Sequence, residues 1–233
     1  VDRNGVSYSA MNGQTTAIGT ATNNGIDRAT SDGATLSPPF GKATGAHGNG
    51  LFVRNHTALD GDMLYVASYA GFVAAYNTAS VTDEPAWITS TYNKIDYSGI
   101  AVVESEATIY VGTYEGAASR LLALNKTNGA LRWSYTAEAN ITSCPAVDAN
   151  NIIHFADENG NWYALNPDGT LKKKEKIGDQ IRSSPVIADY GVLYFTVVES
   201  GACQLVAIDI NAGPANSPWP QAGQNAQRTG QQK

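Results

Sequence analysis

One short pattern recurs along this chain and restricts the folds open to it. Each copy has an apolar segment with a large ring, then a glycine, then a small residue, a hydrophobic residue and Asn or Asp. Clear copies end at residues 75–77, 123–125, 164–166 and 207–209, and a weaker copy runs from Val6 to Gly19. Repeats of roughly 40 to 50 residues built from β-type segments are typical of β-propellers.

The third clear copy shows what one repeat contains. Short apolar or alternating segments lie at 143–147, 152–156, 162–165 and 170–174, and Gly160 and Gly169 fall in the turns between them. Asn-Gly and Pro-Asp-Gly sequences favour tight turns between antiparallel strands. The last segment continues into the basic run Lys172–Lys176, which suits a solvated outer strand. We therefore predict an all-β fold, a β-propeller of four-stranded antiparallel blades.

The repeats set the expected domain organisation. We expect a single domain over residues 1–233 with five blades, at approximately 5–50, 51–96, 97–140, 141–180 and 181–233. The first blade is the weakest because residues 29–50 are rich in Gly, Ser and Pro. The alternative is that the chain forms part of a larger ring. We expect the tail around Trp219 to complete a blade where the termini meet.

Composition excludes several classes of function. The net charge of −6 argues against a nucleic-acid partner, which requires a clustered basic face. No stretch approaches the ~20 apolar residues of a transmembrane segment. Few charged residues (15%), with abundant Asn, Thr and Gly, favour an extracytoplasmic location: periplasm, cell surface or secreted. Whether Cys144 and Cys203 form a disulfide stays open.

Several segments point to one family. They are Tyr110–Thr113, Leu122–Asn125, Thr127–Trp133, Arg182–Val186 and the tail with Trp219-Pro220. These segments resemble the repeats of the PQQ-like (quinoprotein alcohol dehydrogenase-like) β-propellers, over roughly residues 51–230. The resemblance implies either a quinoprotein enzyme or a non-catalytic member that scaffolds protein contacts in the cell envelope.

The residues that an enzyme of this family requires cannot be placed on the chain. The resemblance implies a cofactor-stacking Trp, calcium ligands and a catalytic Asp, yet Trp87, Trp133, Trp162 and Trp219 all occupy structural repeat positions. The histidines lack zinc-site spacing. Nearly all candidate carboxylates lie in expected turns. We therefore predict no enzyme, no metal and no cofactor.

Polar residues begin the innermost strands of successive repeats. The candidates are Arg54, Asn55, His56, Asp96, Ser143, Arg182 and Ser183. Because equivalent strands converge around a propeller axis, we expect a binding site at the channel mouth, and a water-filled channel is the alternative.

The expected function is a non-catalytic binding or scaffold propeller, monomeric or fused to other domains. Its partner would be a protein or a glycan, bound at the blade rim or the channel mouth. The alternatives are a lectin-like carbohydrate-binding propeller, or a quinoprotein or glycosidase with its site at the channel mouth.

Overall fold

A computed structural model describes residues 57–80 and 84–225, together with three strands nearer the N-terminus. The regular structure in this part of the chain is β, apart from one 3-10 turn at Gly116–Ala118. The strands form five antiparallel sheets in chain order. The all-β prediction, with four-stranded antiparallel sheets, is confirmed.

Each sheet is built from strands that are consecutive in sequence. The first sheet contains β1 (Ser7–Ala10), β2 (Ile26–Ala29) and β3 (Thr35–Phe40). The second contains β4 (Ala58–Asp60), β5 (Met63–Ser68), β6 (Phe72–Asn77) and β7 (Trp87–Ser90). The third contains β8 (Ile100–Val103), β9 (Thr108–Gly112), β10 (Arg120–Asn125) and β11 (Leu131–Thr136).

The last two sheets differ in how they are completed. The fourth contains β12 (Ala146–Val147), β13 (Ile153–Ala156), β14 (Asn161–Leu165) and β15 (Leu171–Lys176). The fifth contains β16 (Gln180–Ile181), β17 (Val186–Ile187), β18 (Val192–Glu199) and β19 (Ala202–Asp209). In this fifth sheet β16 and β17 both pair with β18, and β19 pairs with β18 along its full length.

The sheets pack face to face through alternating side chains. One core lies between the second and third sheets, a second between the third and fourth, and a third between the fourth and fifth. The short innermost strands β4, β8, β12 and β17 lie beside one another in that order. As expected, β15 carries the lysine run and is exposed along its length.

In the first sheet β1 pairs with β2 at Ile26–Ala29, which lies beyond the weak repeat that runs from Val6 to Gly19. A strand needs only a compatible register with its neighbour, and the sequence of β2 has no likeness to the repeat. Residues 11–25 lie outside the described part of the chain.

Around Trp219, where we expect the tail to complete a blade, residues 210–225 form no strand. The tail instead crosses the innermost strands. The carbonyl of Trp219 accepts from Val102 N at 2.7 Å, and that of Pro220 accepts from Val147 N at 2.8 Å. Pro218 and Pro220 have no N–H to donate, and the segment forms an isolated antiparallel bridge between Trp219 and Val102 rather than a continuous strand.

Candidate functional site

A cavity of about 360 Å³ lies where three sheets meet at one end of their strands. It is lined by residues of the third, fourth and fifth sheets: Asp96, Tyr97, Tyr114, Thr142, Glu158 and Arg182. We call it the mouth cavity. Two of the predicted site residues, Asp96 and Arg182, are among its lining residues.

Strand order explains why residues distant in sequence meet here. Asp96 and Thr142 precede the innermost strands β8 and β12, whereas Tyr114 and Glu158 follow the second strands β9 and β13. Neighbouring antiparallel strands run in opposite directions, so the start of one lies beside the end of the next. Tyr114 is fixed in addition by a bond from its backbone N to the carbonyl of Lys94 at 2.7 Å.

An ion pair crosses the cavity between two sheets. Arg182 Nε lies 3.0 Å from Glu158 Oε1. The other carboxylate oxygen of Glu158 accepts from Asn140 Nδ2 at 2.9 Å. Arg182 is mostly exposed, so this pair contributes no more than about 1 kcal/mol to stability. The guanidinium is thus positioned by Glu158 and accessible to a partner.

Two further lining residues have features that packing alone does not require. Tyr97 is 57% exposed and has a φ of 62°, a left-handed conformation that costs a non-glycine residue roughly 1 kcal/mol or more. Thr142 is buried, and no hydrogen-bond partner of its Oγ1 is found in the described part of the chain. An unsatisfied buried hydroxyl is costly, so an incoming polar group would be stabilised there.

Two of the predicted site residues join neighbouring strands within their own sheets. Ser143 Oγ donates to the carbonyl of Ala156 at 3.2 Å and accepts from its N–H at 3.4 Å. Ser183 Oγ makes the same two contacts with Thr196, at 3.0 and 2.9 Å. These hydroxyls therefore tie the start of an innermost strand to the neighbouring strand. Arg54, Asn55 and His56 lie outside the described residues.

Sequence reasoning missed Tyr114 and Glu158 as lining residues. Each stands in the loop that follows the second strand of its repeat, and these loops differ so much in sequence that no common pattern marks them. Their shared repeat position, beside the start of the next sheet's innermost strand, is the one signal that could have identified them.

The tryptophans do not fit the PQQ cofactor that the family name suggests. Trp87 Nε1 donates to the carbonyl of Lys126 at 3.1 Å, and Trp133 Nε1 to that of Pro167 at 2.8 Å. Trp162 is buried and stacks on His154, with ring centroids 5.9 Å apart. Trp219 is buried among core residues of the second and third sheets. Each indole is thus engaged in packing between sheets or around the tail.

The acidic and histidine side chains do not form a metal-binding cluster within residues 57–80 and 84–225. His154 Nε2 instead lies 3.1 Å from Asp148 Oδ2, and both residues are buried. Asp148 Oδ1 also accepts from two backbone N–H groups, of Asn150 and Ile152. This arrangement orders a turn, and the residues that the structure describes do not fit PQQ with a calcium ion.

Two other sequence questions are answered by the structure. Cys144 is buried and Cys203 is exposed, and both are free thiols. In the part of the chain that the structure describes, no helix is long and apolar enough to cross a membrane.

Solved structures with similar folds include one natural and two designed proteins. BamB from Moraxella catarrhalis is 20% identical, with a TM-score of 0.54 over 68% of this chain and 47% of that chain. The computationally designed Ika4 protein is 10% identical, with a TM-score of 0.56 over 74% of this chain and 99% of that one. The designed Ika8 protein is 11% identical, with a TM-score of 0.59 over 79% of this chain and 52% of that one.

The chain thus spans about half the length of this BamB and of Ika8. No curated protein sequence matches the chain significantly. A family profile matches residues 73–213, more than half of the chain, and it is described as outer membrane protein assembly factor BamB. Together with the four-stranded antiparallel sheets, this match shows that the chain belongs to the BamB-like family of PQQ-like repeat β-propellers.

Proposed function

We propose that this chain is a non-catalytic scaffold of the cell envelope that binds a protein partner at the mouth cavity. The description of its family as an outer membrane protein assembly factor supports both the extracytoplasmic location and a protein partner. We also propose that residues 1–233 form one domain of five blades, with the boundaries expected from the repeats.

The make-up of the mouth cavity is the observation that carries this proposal. It combines an accessible guanidinium on Arg182, the exposed ring of Tyr97 and the buried hydroxyl of Thr142. Tyrosine and arginine are enriched among the residues that dominate protein–protein binding energy. A cavity of about 360 Å³ accommodates one or two side chains of a partner segment.

The differences between equivalent loops favour a protein over a glycan. A lectin-like propeller would present similar sugar-binding residues in each repeat. The loops at 69–71, 115–117, 158–160 and 199–201 differ from one another in sequence. The mouth cavity draws on three sheets with different residues from each, which suits a single irregular protein surface.

Site-specific photo-crosslinking in the cell envelope tests the proposal. A benzophenone amino acid replacing Tyr97 should give one discrete protein adduct, whereas the same group replacing Leu171 on exposed strand β15 should not. Arg182→Glu in the Tyr97-labelled protein should abolish the adduct. The substitution replaces the positive charge that we expect to face the partner by a negative charge next to Glu158. Three outcomes would overturn the proposal: equal labelling from both positions, an adduct that Arg182→Glu leaves unchanged, or an adduct with polysaccharide in place of protein.

A further inference from the structure

Asn140 is half-buried in the connection between β11 and β12, and its side chain bonds to loops of two sheets. On the third sheet, its Oδ1 accepts from Gly116 N at 2.6 Å and from Ser119 Oγ at 3.3 Å. On the fourth sheet, its Nδ2 donates to Glu158 Oε2 at 2.9 Å. Both the oxygen and the nitrogen of this amide therefore have partners, and the partners lie on different sheets.

The partners of Asn140 favour one orientation of its amide. If the oxygen and the nitrogen exchanged places, the NH2 group would face the N–H of Gly116, and the oxygen would face the carboxylate of Glu158. Both contacts would be repulsive, because two donors or two acceptors would meet. The loop of the third sheet thus fixes the direction in which Asn140 points a donor at Glu158.

The bond to the Glu158 carboxylate does more than hold the loop. The backbone of that loop is already joined to Asn140, because Glu158 N donates to the Asn140 carbonyl at 2.9 Å. The side-chain bond acts on the carboxylate itself and leaves Oε1 to contact Arg182 Nε at 3.0 Å. The Glu158 side chain is 15% exposed, whereas that of Arg182 is 66% exposed. Glu158 is therefore the fixed member of this pair, and Arg182 depends on it for its position.

The same stretch of chain carries other groups of the mouth cavity. Tyr114 immediately precedes the loop 115–119, which Asn140 holds through Gly116 and Ser119. Thr142, with its buried hydroxyl, follows two residues after Asn140. Asn140 thus stands where lining groups of the third, fourth and fifth sheets are connected.

We propose that Asn140 is a positioning residue of the mouth cavity. It directs the carboxylate of Glu158, and Glu158 in turn holds the guanidinium of Arg182 ready for a partner. This role rests on the proposed function, since it concerns how the same cavity binds. A side chain that is held in place before association loses less conformational freedom on binding. Hydrogen bonds from residues behind a binding site hold its side chains in this way.

Asn140→Asp separates this hydrogen bond from the other contacts of the residue. The new carboxylate can still accept from Gly116 N and Ser119 Oγ, but at neutral pH it has no proton to donate to Glu158. If the hydrogen bond directs Glu158, the substitution loosens Arg182. If only charge mattered, the added negative charge would hold Arg182 more firmly. The two explanations therefore predict opposite results.

Hydrogen exchange of the Arg182 Nε–H, followed by NMR, measures how firmly the guanidinium is held. It should be about two- to fivefold faster in Asn140→Asp than in the wild type, which is the factor that an exposed ion pair contributes. Adding Glu158→Gln to Asn140→Asp should reverse most of this change. The glutamine amide can donate to the new aspartate and still offer its oxygen to Arg182.

Asn166→Asp is the matched control for the exchange measurement. Asn166 lies in a turn of the fourth sheet, where its Nδ2 donates to Thr170 Oγ1 at 2.9 Å, and it does not line the mouth cavity. The same change of amide to carboxylate at this position should leave the exchange of the Arg182 Nε–H at the wild-type rate. Unchanged circular dichroism would show that all of these variants are folded.

Photo-crosslinking shows whether this restraint matters for binding. With the benzophenone amino acid at Tyr97, Asn140→Asp should lower the yield of the protein adduct at least about twofold. The double variant with Glu158→Gln should recover it.

Three outcomes contradict the positioning role of Asn140. They are an exchange rate that Asn140→Asp leaves unchanged or lowers, an adduct yield that it does not alter, and a double variant that recovers neither quantity. Absence of any adduct from the wild type would instead overturn the proposed function, and the exchange rates would still decide whether Asn140 positions Arg182.

Discussion

The indole of Trp133, on the outer strand of the third sheet, packs directly against Gly169 in a turn of the fourth sheet. A Cβ added to Gly169 would lie 2.7 Å from Cδ2 of that indole. The same relationship joins the second and third sheets, where a Cβ on Gly129 would lie 2.5 Å from Cε3 of Trp87. In both cases a tryptophan on the outer strand of one sheet packs against a turn glycine of the next sheet.

This contact predicts that Gly169→Ala destabilises the fold by about 2–4 kcal/mol. Part of the loss, about 1 kcal/mol, comes from placing a side chain at the glycine's φ of +86°. The remainder comes from the clash with Trp133, since overpacking costs roughly 1–3 kcal/mol. Urea unfolding followed by tryptophan fluorescence measures the change.

Gly201→Ala is the matched control for that substitution. Gly201 has a φ of +77°, but an added Cβ would meet no atom within 4 Å. It should therefore cost only the conformational part, about 1 kcal/mol. If both variants lost the same stability, the Trp133 contact would contribute nothing.

Ser143 and Ser183 predict two different losses from the same substitution. Ser143 is buried, so Ser143→Ala leaves the N–H and carbonyl of Ala156 without their hydroxyl partner and should cost about 1–3 kcal/mol. The contacts of Ser183 with Thr196 are exposed, where water can replace the hydroxyl, so Ser183→Ala should cost less than about 0.5 kcal/mol. A Ser183→Ala loss as large as that of Ser143→Ala in chemical denaturation would refute this distinction.

The serines also show where sequence reasoning reaches its limit. The repeat located the sheets well: the segments expected at 152–156 and 162–165 correspond to β13 and β14, because alternation and turn glycines are local features. The same repeat placed Ser143 at the start of an innermost strand, but residue type alone does not say whether a hydroxyl faces the channel or the neighbouring backbone.

Predicting the mouth cavity requires information that no single repeat contains. Asp96 and Arg182 could be selected because both begin an innermost strand. Glu158 reaches Arg182 from a loop whose path depends on its bonds to Asn140 in the preceding connection. Such contacts between sheets are set by loop conformation, which the repeat pattern does not encode.

The tail predicts a strong loss of stability when Trp219 is shortened. Trp219 is buried and packs with core residues, so Trp219→Ala should cost about 3–5 kcal/mol. Gln221 secures the next residues, since its Oε1 accepts from Ile187 N at 2.8 Å. Removal of the chain from Ser217 onward should therefore destabilise at least as much, as measured by thermal melting.

Trp219→Phe is the control that separates packing from hydrogen bonding. No partner for the indole N–H is found within the described residues, so a phenylalanine loses some contact area but no bond. It should cost clearly less than Trp219→Ala. Unchanged melting after removal of the tail would show that the segment does not support the sheets.

PQQ supplied with Ca²⁺ should leave the melting temperature unchanged. Binding to the native state alone must raise stability, because it draws the equilibrium toward the folded form. The four tryptophans are engaged in packing, and the described residues offer no cluster of metal ligands. An increase of several degrees in differential scanning fluorimetry would overturn the proposal that the protein is non-catalytic.

Buried tyrosines predict that the fold loses stability at alkaline pH. Burial is the largest cause that raises the pKa of Tyr65, Tyr110 and Tyr163, and it raises that of Tyr76 to about 12. These groups keep their protons in the folded state above pH 10, where the unfolded state ionises. The unfolded state then binds fewer protons, so the free energy of unfolding falls as pH rises from about 10 toward 12.

Tyr76→Phe should make that decline shallower, because one of the groups whose pKa differs between the two states is removed. Tyr92→Phe is the matched control, since Tyr92 is almost fully exposed and should leave the decline unchanged. Urea midpoints of the wild type and both variants at pH 8, 10 and 11 (from about two units below to about one unit above an ordinary tyrosine pKa) measure the effect. A wild-type midpoint that stayed constant over this range would contradict the burial of these hydroxyls in the native state.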